Sequence, residues 1–324
     1  MSIYTFTLNP ALDLSGTVRK IVPNEKNYVL NELRFPGGNG INAARTIHKL
    51  GFPVIASGFL GGGIGNEIRH LLTLEGIKHQ FIEIKDDTRI NVTVSILKSH
   101  LQTRLSFPGP QVKKNEIRLL LNFISKIKPP ALLLIGGSRP HGFSTLNLAH
   151  IIRFCETHGI YIIVDSPSNV LKEVLEKKLL LIKPNLSEFQ ELVHKKIHSI
   201  ESVIAEAKKL TNKIQFICVS SVEDGAVLVS SQGVWFGKIP KVKVKSTVGA
   251  GDSMVGAMVS FLWKSKIQSM NSAQIENFKH TSSSEMLKWG LAAACATLVR
   301  PGTAQGEAKD IRKFYEQISV RILS

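Results

Sequence analysis

Thr247-Val248-Gly249-Ala250-Gly251-Asp252 joins two chemistries that ordinarily oppose each other. Its glycines sit between a strand-like run at 242–244 and a helical run at 254–263. That order predicts a strand-to-helix turn whose backbone N–H groups converge on an anion, with the helix dipole adding to the attraction. A carboxylate in the same turn repels such an anion. The conflict resolves if Asp252 accepts a proton from an attacking hydroxyl. On spacing alone, a plain Gly-Asp helix cap fits equally well.

Three further stretches carry candidate chemistry. Asn185-Leu186-Ser187-Glu188, after Lys183-Pro184, has capping-box spacing, and its amide and carboxylate could equally order a hydrated Mg²⁺. Pro36-Gly37-Gly38-Asn39-Gly40-Ile41-Asn42 opens a helix, where glycines admit a ligand to the backbone and Asn39 and Asn42 could bond sugar hydroxyls. A glycine turn with an asparagine cap explains the same residues. Asp13 follows the first strand and Asn9-Pro10, at the end of a strand where parallel sheets gather ligand contacts. The chain has no G-x-x-x-x-G-K-[ST] loop and no H-E-x-x-H, and residues 61–65 miss G-x-G-x-x-G because Asn66 stands at the last glycine's position.

The elements that must position these residues alternate. Strands are expected at 3–8, 54–60, 131–135, 161–165, 179–182 and 216–220, and helices at 41–50, up to Gly76, and at 144–158. Residues 61–65 read as a glycine turn. The unbroken apolar run 131–135 is that of a strand buried on both faces. The fold class expected is α/β, a doubly wound, mostly parallel sheet covered by helices on both faces. Residues 28–35, 89–98 and 101–107 break the rhythm and predict a small separate sheet, the last two runs antiparallel. Its apolar face, with Ile90, Val92, Val94 and Ile96, needs cover from a ligand site or a second subunit. Residues 271–284, the most polar part of the C-terminal third, read as a surface loop.

A chain of 324 residues, 43% hydrophobic and 20% charged, is that of a globular protein with one large domain and a smaller appendage. No apolar run approaches a membrane span, and the first residues do not read as a signal peptide. Cys155, Cys218 and Cys295 are odd in number and widely spaced, which argues against a disulfide framework or zinc site and for a reducing cytoplasm. The net charge of +16 is scattered along the chain without a basic helix, so nucleic acid is not the expected partner.

Taken together, the motifs resemble the ribokinase-like (PfkB) family of carbohydrate kinases. The resemblance runs from Thr7-Leu8-Asn9-Pro10-Ala11-Leu12-Asp13 to Pro301-Gly302-Thr303, with Gly37-Gly38-Asn39-Gly40-Ile41-Asn42-Ala43-Ala44 and Val248-Gly249-Ala250-Gly251-Asp252-Ser253 in the family's order. It implies one kinase domain over 1–324 with a β lid at about 15–35 and 86–107, often shared in a homodimer. It implies Asp252 as general base, with backbone N–H groups of Gly249, Ala250 and Gly251 as the anion hole for the γ-phosphoryl of ATP. Asn185 and Glu188 would organise Mg²⁺ and phosphates, Lys183 would lie near the ATP phosphates, and Ser220 and Gly225 would border the nucleotide. Only part of the family's Ser-x-Gly-x-x-Gly stretch is kept at 220–225. Asp13 and Asn42, with Gly37, Gly38 and Asn39, would hold the sugar. A potassium site beside the anion hole also occurs in the family.

Thr88-Arg89-Ile90-Asn91 resembles the segment by which phosphosugar kinases of the family place an Arg on the substrate phosphate, and Lys26 and Ser138 match phosphate-contacting positions of the family's 6-phosphofructokinases. Fructose 1-phosphate and tagatose 6-phosphate kinases usually carry Lys where this chain has Asn39, whereas the 6-phosphofructokinases have a small uncharged residue. The resemblance therefore implies fructose 6-phosphate as acceptor, with the other two phosphosugars as alternatives and a non-catalytic sensor on the same fold as a third reading. Arg139, in Gly137-Ser138-Arg139-Pro140-His141-Gly142, departs from the family's Leu and either adds a phosphate contact or reaches solvent.

Overall fold

The computed structural model describes residues 2–97 and 101–323. In chain order the strands are β1 (Ile3–Thr7), β2 (Ala11–Val18), β3 (Leu30–Gly37), β4 (Val54–Leu60), β5 (Lys78–His79), β6 (Ile82–Glu83), β7 (Arg89–Ile96), β8 (Gln102–Ser106), β9 (Ala131–Gly136), β10 (Ile160–Asp165), β11 (Leu179–Ile182), β12 (Ile214–Val222), β13 (Gly225–Ser230), β14 (Gly233–Lys238) and β15 (Ser319–Ile322). The helices are α1 (Asn39–Lys49), α2 (Gly62–Leu74), α3 (Lys114–Ile124), α4 (Thr145–Thr157), α5 (Ser168–Lys172), α6 (Leu186–Val193), α7 (Ile200–Lys208), α8 (Ala250–Lys264), α9 (Ser272–Leu298) and α10 (Ala308–Gln317).

The large sheet runs β15-β14-β13-β12-β11-β10-β9-β1-β4-β5, with β6 also on β4. From β12 to β5 every pairing is parallel, and β13 to β15 close the far side as antiparallel strands. Helices cover both faces, as a parallel sheet requires. In β9, Ala131, Leu133 and Ile135 join one core with α3, α4, α6 and α7, while Leu132 and Leu134 join the other with α1, α8 and α9. Strand order reverses at β1, between β9 and β4, so a crevice opens at the carboxyl ends of these strands.

A second sheet, β3-β2-β7-β8, stands beside that crevice. Its polar face carries Asp13, Asn91 and Thr93, all buried, in register across β2 and β7. Its other face carries Ile90, Leu14, Val92, Leu105 and Val94, of which Leu105 is 54% exposed.

Four expectations need correction. Residues 271–284 are no loop but the first half of the 27-residue α9. Their polar residues form its wet side, Ile275, Phe278 and Lys279 are buried, and Asn271 and Gln274 form a capping box. Residues 242–244 form no strand, because the backbone there has no ladder partner and the next N–H groups, of Lys245 and Ser246, go to Leu298 O. Gly62 begins α2, so 61–65 is a helix start rather than a free turn. Asp13 lies within β2 of the second sheet, not just beyond β1. Lys98, the expected end of the 89–98 strand, lies outside the described residues.

Candidate active site

Between the two sheets lies a cleft of about 750 Å³. The 247–252 turn, the starts of α1 and α6, strands β7 and β8, and the β12–β13 hairpin all line it. Gly249 caps α8 in the left-handed region at φ +82°, which a side chain resists, and so turns the chain directly into the helix. The amides of the first helical residues have no partner within the helix and are available to an anion.

Asp252 occupies the first turn of α8, and its Oδ2 accepts a hydrogen bond from Asn42 Nδ2 at 2.8 Å. Removal from water raises its pKa to about 7; Asp165 adds to the rise, while the Asn42 bond and Lys183 oppose it. Asp165 and Lys183, 5% and 4% exposed, pair at 3.2 Å in the floor of the cleft. Burial pushes the Asp165 carboxyl up, against the pull of Lys183 and a hydrogen bond from Asn39. Burial alone would lower the Lys183 pKa, but Asp165 and, to a lesser degree, Cys218, Asp252 and Glu188 together outweigh burial and hold the ammonium above the ordinary lysine value. A Cβ on Gly251 would stand 3.1 Å from Lys183 Nζ, so the cation lies against the turn.

Asn185 and Glu188 form the capping box of α6, with Asn185 Oδ1 taking Glu188 N–H at 2.9 Å and Glu188 Oε2 taking Asn185 N–H at 2.8 Å. Both also line the cleft. The capping and ligand readings are therefore compatible. Burial raises the Glu188 pKa, partly offset by that amide. Among the described residues no hydrogen bond is formed at Glu188 Oε1, and no group of three His, Cys, Asp or Glu is placed to hold a metal ion. This donor set fits a Mg²⁺ that keeps most of its waters and takes its remaining ligands from phosphates.

On the far wall, Asp13 Oδ1 accepts from Asn91 Nδ2 at 2.9 Å. Burial raises the Asp13 pKa against Asn91, Arg104 and Arg89. A Cβ on Gly37 would fall 2.2 Å from Asp13 Oδ2, so only glycine lets β3 cross here. Arg89 donates to Phe107 O and Asn9 O, while its buried Nε has no partner among the described residues. Arg104, paired with Thr93 across β7 and β8, opens into the same cleft.

Of the residues singled out from sequence, Gly38, Asn39, Asn42, Arg89, Lys183, Asn185, Glu188, Ser220, Gly225, Gly249, Ala250, Gly251 and Asp252 line the cleft. Asp13 and Gly37 stand behind its wall. Ser138 lies outside the lining and accepts from Asn9 Nδ2 at 3.3 Å; Lys26 is exposed and also outside it. Arg139 lies outside the lining, pairs with Glu173 at 3.0 Å and donates to Thr145 at 3.1 Å. Sequence reasoning missed Asp165, Asn91 and Arg104. Asp165 closes β10 at its carboxyl end, a signal that could have found it; Asn91 and Arg104 become site residues only once β7 and β8 pair.

A helix start with open amides, a buried carboxylate and two arginines in one cleft are the parts that a phosphotransferase with an alcohol as acceptor needs. Comparison with known proteins agrees. The model of the pfkB family of carbohydrate kinases matches residues 8–310, and the chain belongs to that family. It is 34% identical over 320 residues to the ATP-dependent 6-phosphofructokinase isozyme 2 of Escherichia coli K12, covering 98% of this chain and 99% of the relative. It is 32% identical over 320 residues to a 1-phosphofructokinase of Borreliella burgdorferi, covering 98% of both. The solved phosphofructokinase-2 of Escherichia coli in complex with substrates and products superposes with a TM-score of 0.90 at 34% identity, over 98% of this chain and 99% of that one. The protein is thus a phosphofructokinase-type sugar phosphate kinase.

Proposed function

We propose that the protein transfers the γ-phosphoryl group of ATP to the 1-hydroxyl of fructose 6-phosphate, giving ADP and fructose 1,6-bisphosphate. The observation that carries a phosphosugar acceptor is the pair Arg89 and Arg104 in the cleft that also holds Asp252. A neutral sugar has no use for two cations there. Asn39, uncharged and engaged with Asp165, supports the 6-phosphate over the alternatives. The 1-phosphofructokinase reading keeps its own support in the Borreliella relative.

In this reading Asp252 takes the hydroxyl proton, the freed oxygen forms the new P–O bond, and the bond to the β-phosphate bridging oxygen breaks. The amides of Gly249, Ala250 and Gly251 stabilise the transferring group. Lys183, Ser220 and Gly225 line the nucleotide's part of the cleft. Asn185 and Glu188 would hold Mg²⁺ through water, and the ion would neutralise charge on the phosphates. Potassium beside the anion hole would act through backbone carbonyls. Asp13 and Asn42 orient the sugar, and the second sheet closes as a lid that excludes water. Its apolar face, where Leu105 is 54% exposed, is the surface for a homodimer. Among the described residues no helix is long and apolar enough to cross a membrane. ADP release measured with fructose 6-phosphate, fructose 1-phosphate and tagatose 6-phosphate side by side tests the assignment. Fructose 6-phosphate should give the highest kcat/KM, and a clear preference for either other sugar overturns it.

A further inference from the structure

Behind the catalytic turn lies a buried polar cluster with no contact to the cleft. Thr46, Ser253, Thr297 and Gln305 are each 0–1% exposed and come from α1, α8, α9 and the segment after α9. Thr46 Oγ1 lies 3.1 Å and Thr297 Oγ1 2.6 Å from Ser253 Oγ, which also donates to Gln305 Oε1. Gly306 N–H donates to Thr297 Oγ1 at 3.0 Å, and Gln305 Nε2 donates to Thr303 O at 2.8 Å.

Ser253 has a single proton, which goes to the Gln305 carbonyl, so Thr297 donates to Ser253 Oγ, while the Thr46 hydroxyl faces both Ser253 Oγ and, at 3.4 Å, Gln305 Oε1. A cluster satisfied in this way fixes the positions of its members. Gln305 is the member that grips the turn at both ends. Its carbonyl holds Ser253, the residue after Asp252, and its amide packs on Gly249, where a Cβ would stand 2.9 Å from Nε2. Helix α1 grips the same turn twice, through Asn42 on Asp252 and, one helical turn on, Thr46 on Ser253.

We propose that Gln305 is a positioning residue for phosphoryl transfer: it fixes the Gly249–Ser253 turn so that the anion-hole amides and the Asp252 carboxylate keep their mutual geometry. The inference rests on the assignment of that turn as the catalytic one. Gln305 is buried and does not line the cleft, so its loss should lower kcat and leave binding alone. A misplacement of about 1 Å at a reacting centre costs on the order of 100-fold in rate.

The test uses the full chain, with kcat and KM for phosphosugar and ATP measured by ADP release for wild type, Gln305→Met, Ser253→Ala and the double variant. Gln305→Met keeps the volume and removes the side-chain hydrogen bonds with Ser253, Thr46 and Thr303. It should lower kcat roughly 10- to 100-fold with both KM values within about twofold. Ser253→Ala should lower kcat about 3- to 10-fold, and the double variant should be no worse than Gln305→Met, because the two residues act as one unit. A purely structural role would lower the melting temperature and leave kcat per folded molecule unchanged, which overturns the inference, as do fully multiplicative losses. If Gln305→Met fails to fold, Ser253→Ala decides, and wild-type kcat there is equally fatal. A wild type idle on all three phosphosugars overturns this inference together with the function it rests on. An active wild type with an unaffected Gln305→Met overturns the positioning role alone.

Discussion

Replacing Asp252 by Asn should make the protein more stable, and increasingly so as pH rises. Burial, with Asp165 nearby, lifts the Asp252 pKa from the ordinary 3.8 to about 7. The folded state therefore holds this proton more tightly than the unfolded chain. From about pH 4 upward the unfolded chain releases it, and stability falls until the folded group also ionises near pH 7. At roughly 1.4 kcal/mol per pKa unit, the penalty is on the order of 1–2 kcal/mol at pH 5 and on the order of 4 kcal/mol at pH 8.5. The amide introduced by the substitution would carry no charge, and its oxygen could still accept from Asn42. Urea unfolding of wild type and Asp252→Asn at the two pH values measures the effect. The advantage of the variant should grow by roughly 2–3 kcal/mol from pH 5 to pH 8.5. An advantage independent of pH, or a destabilised variant, would refute the reasoning that the fold holds a carboxylate here against its own stability.

Two further outcomes follow from the second sheet. Arg104→Ala should raise KM for the phosphosugar about 10- to 100-fold with kcat little changed, because the cation binds ground and transition states alike; steady-state kinetics with varied sugar at saturating ATP reads this. If the apolar face of the second sheet is the proposed dimer surface, wild type should sediment as a dimer and Val92→Asp as a monomer, since a charge buried in such an interface is left unpaired.

The parallel core was legible because burial on both faces writes continuous apolar runs, such as 131–135 and 179–182, that need no knowledge of neighbours. Helix α9 was not, because its first half spends most of its surface on water. Polar composition masked the spaced apolar stripe of Ile275, Phe278, Met286 and Leu287, and the Asn271–Gln274 box that starts it was passed over. The run 242–244 misled in the opposite way: alternating Val and Lys has strand spacing, yet a strand exists only where a ladder partner does. Within the site, contiguous residues such as Gly249 to Asp252 could be read directly. Asp165 was marked only by its place at the carboxyl end of the 160–165 strand, and Arg104 by nothing local, since its role arises from β8 folding back on β7.

The account stands on Asp252 as the base that frees the attacking hydroxyl. Its most direct test is the turnover of Asp252→Asn with fructose 6-phosphate and ATP. The variant should lose about three decades in kcat with little change in either KM, as removal of a group that acts only in the transition state requires. Turnover close to wild type would contradict the claim.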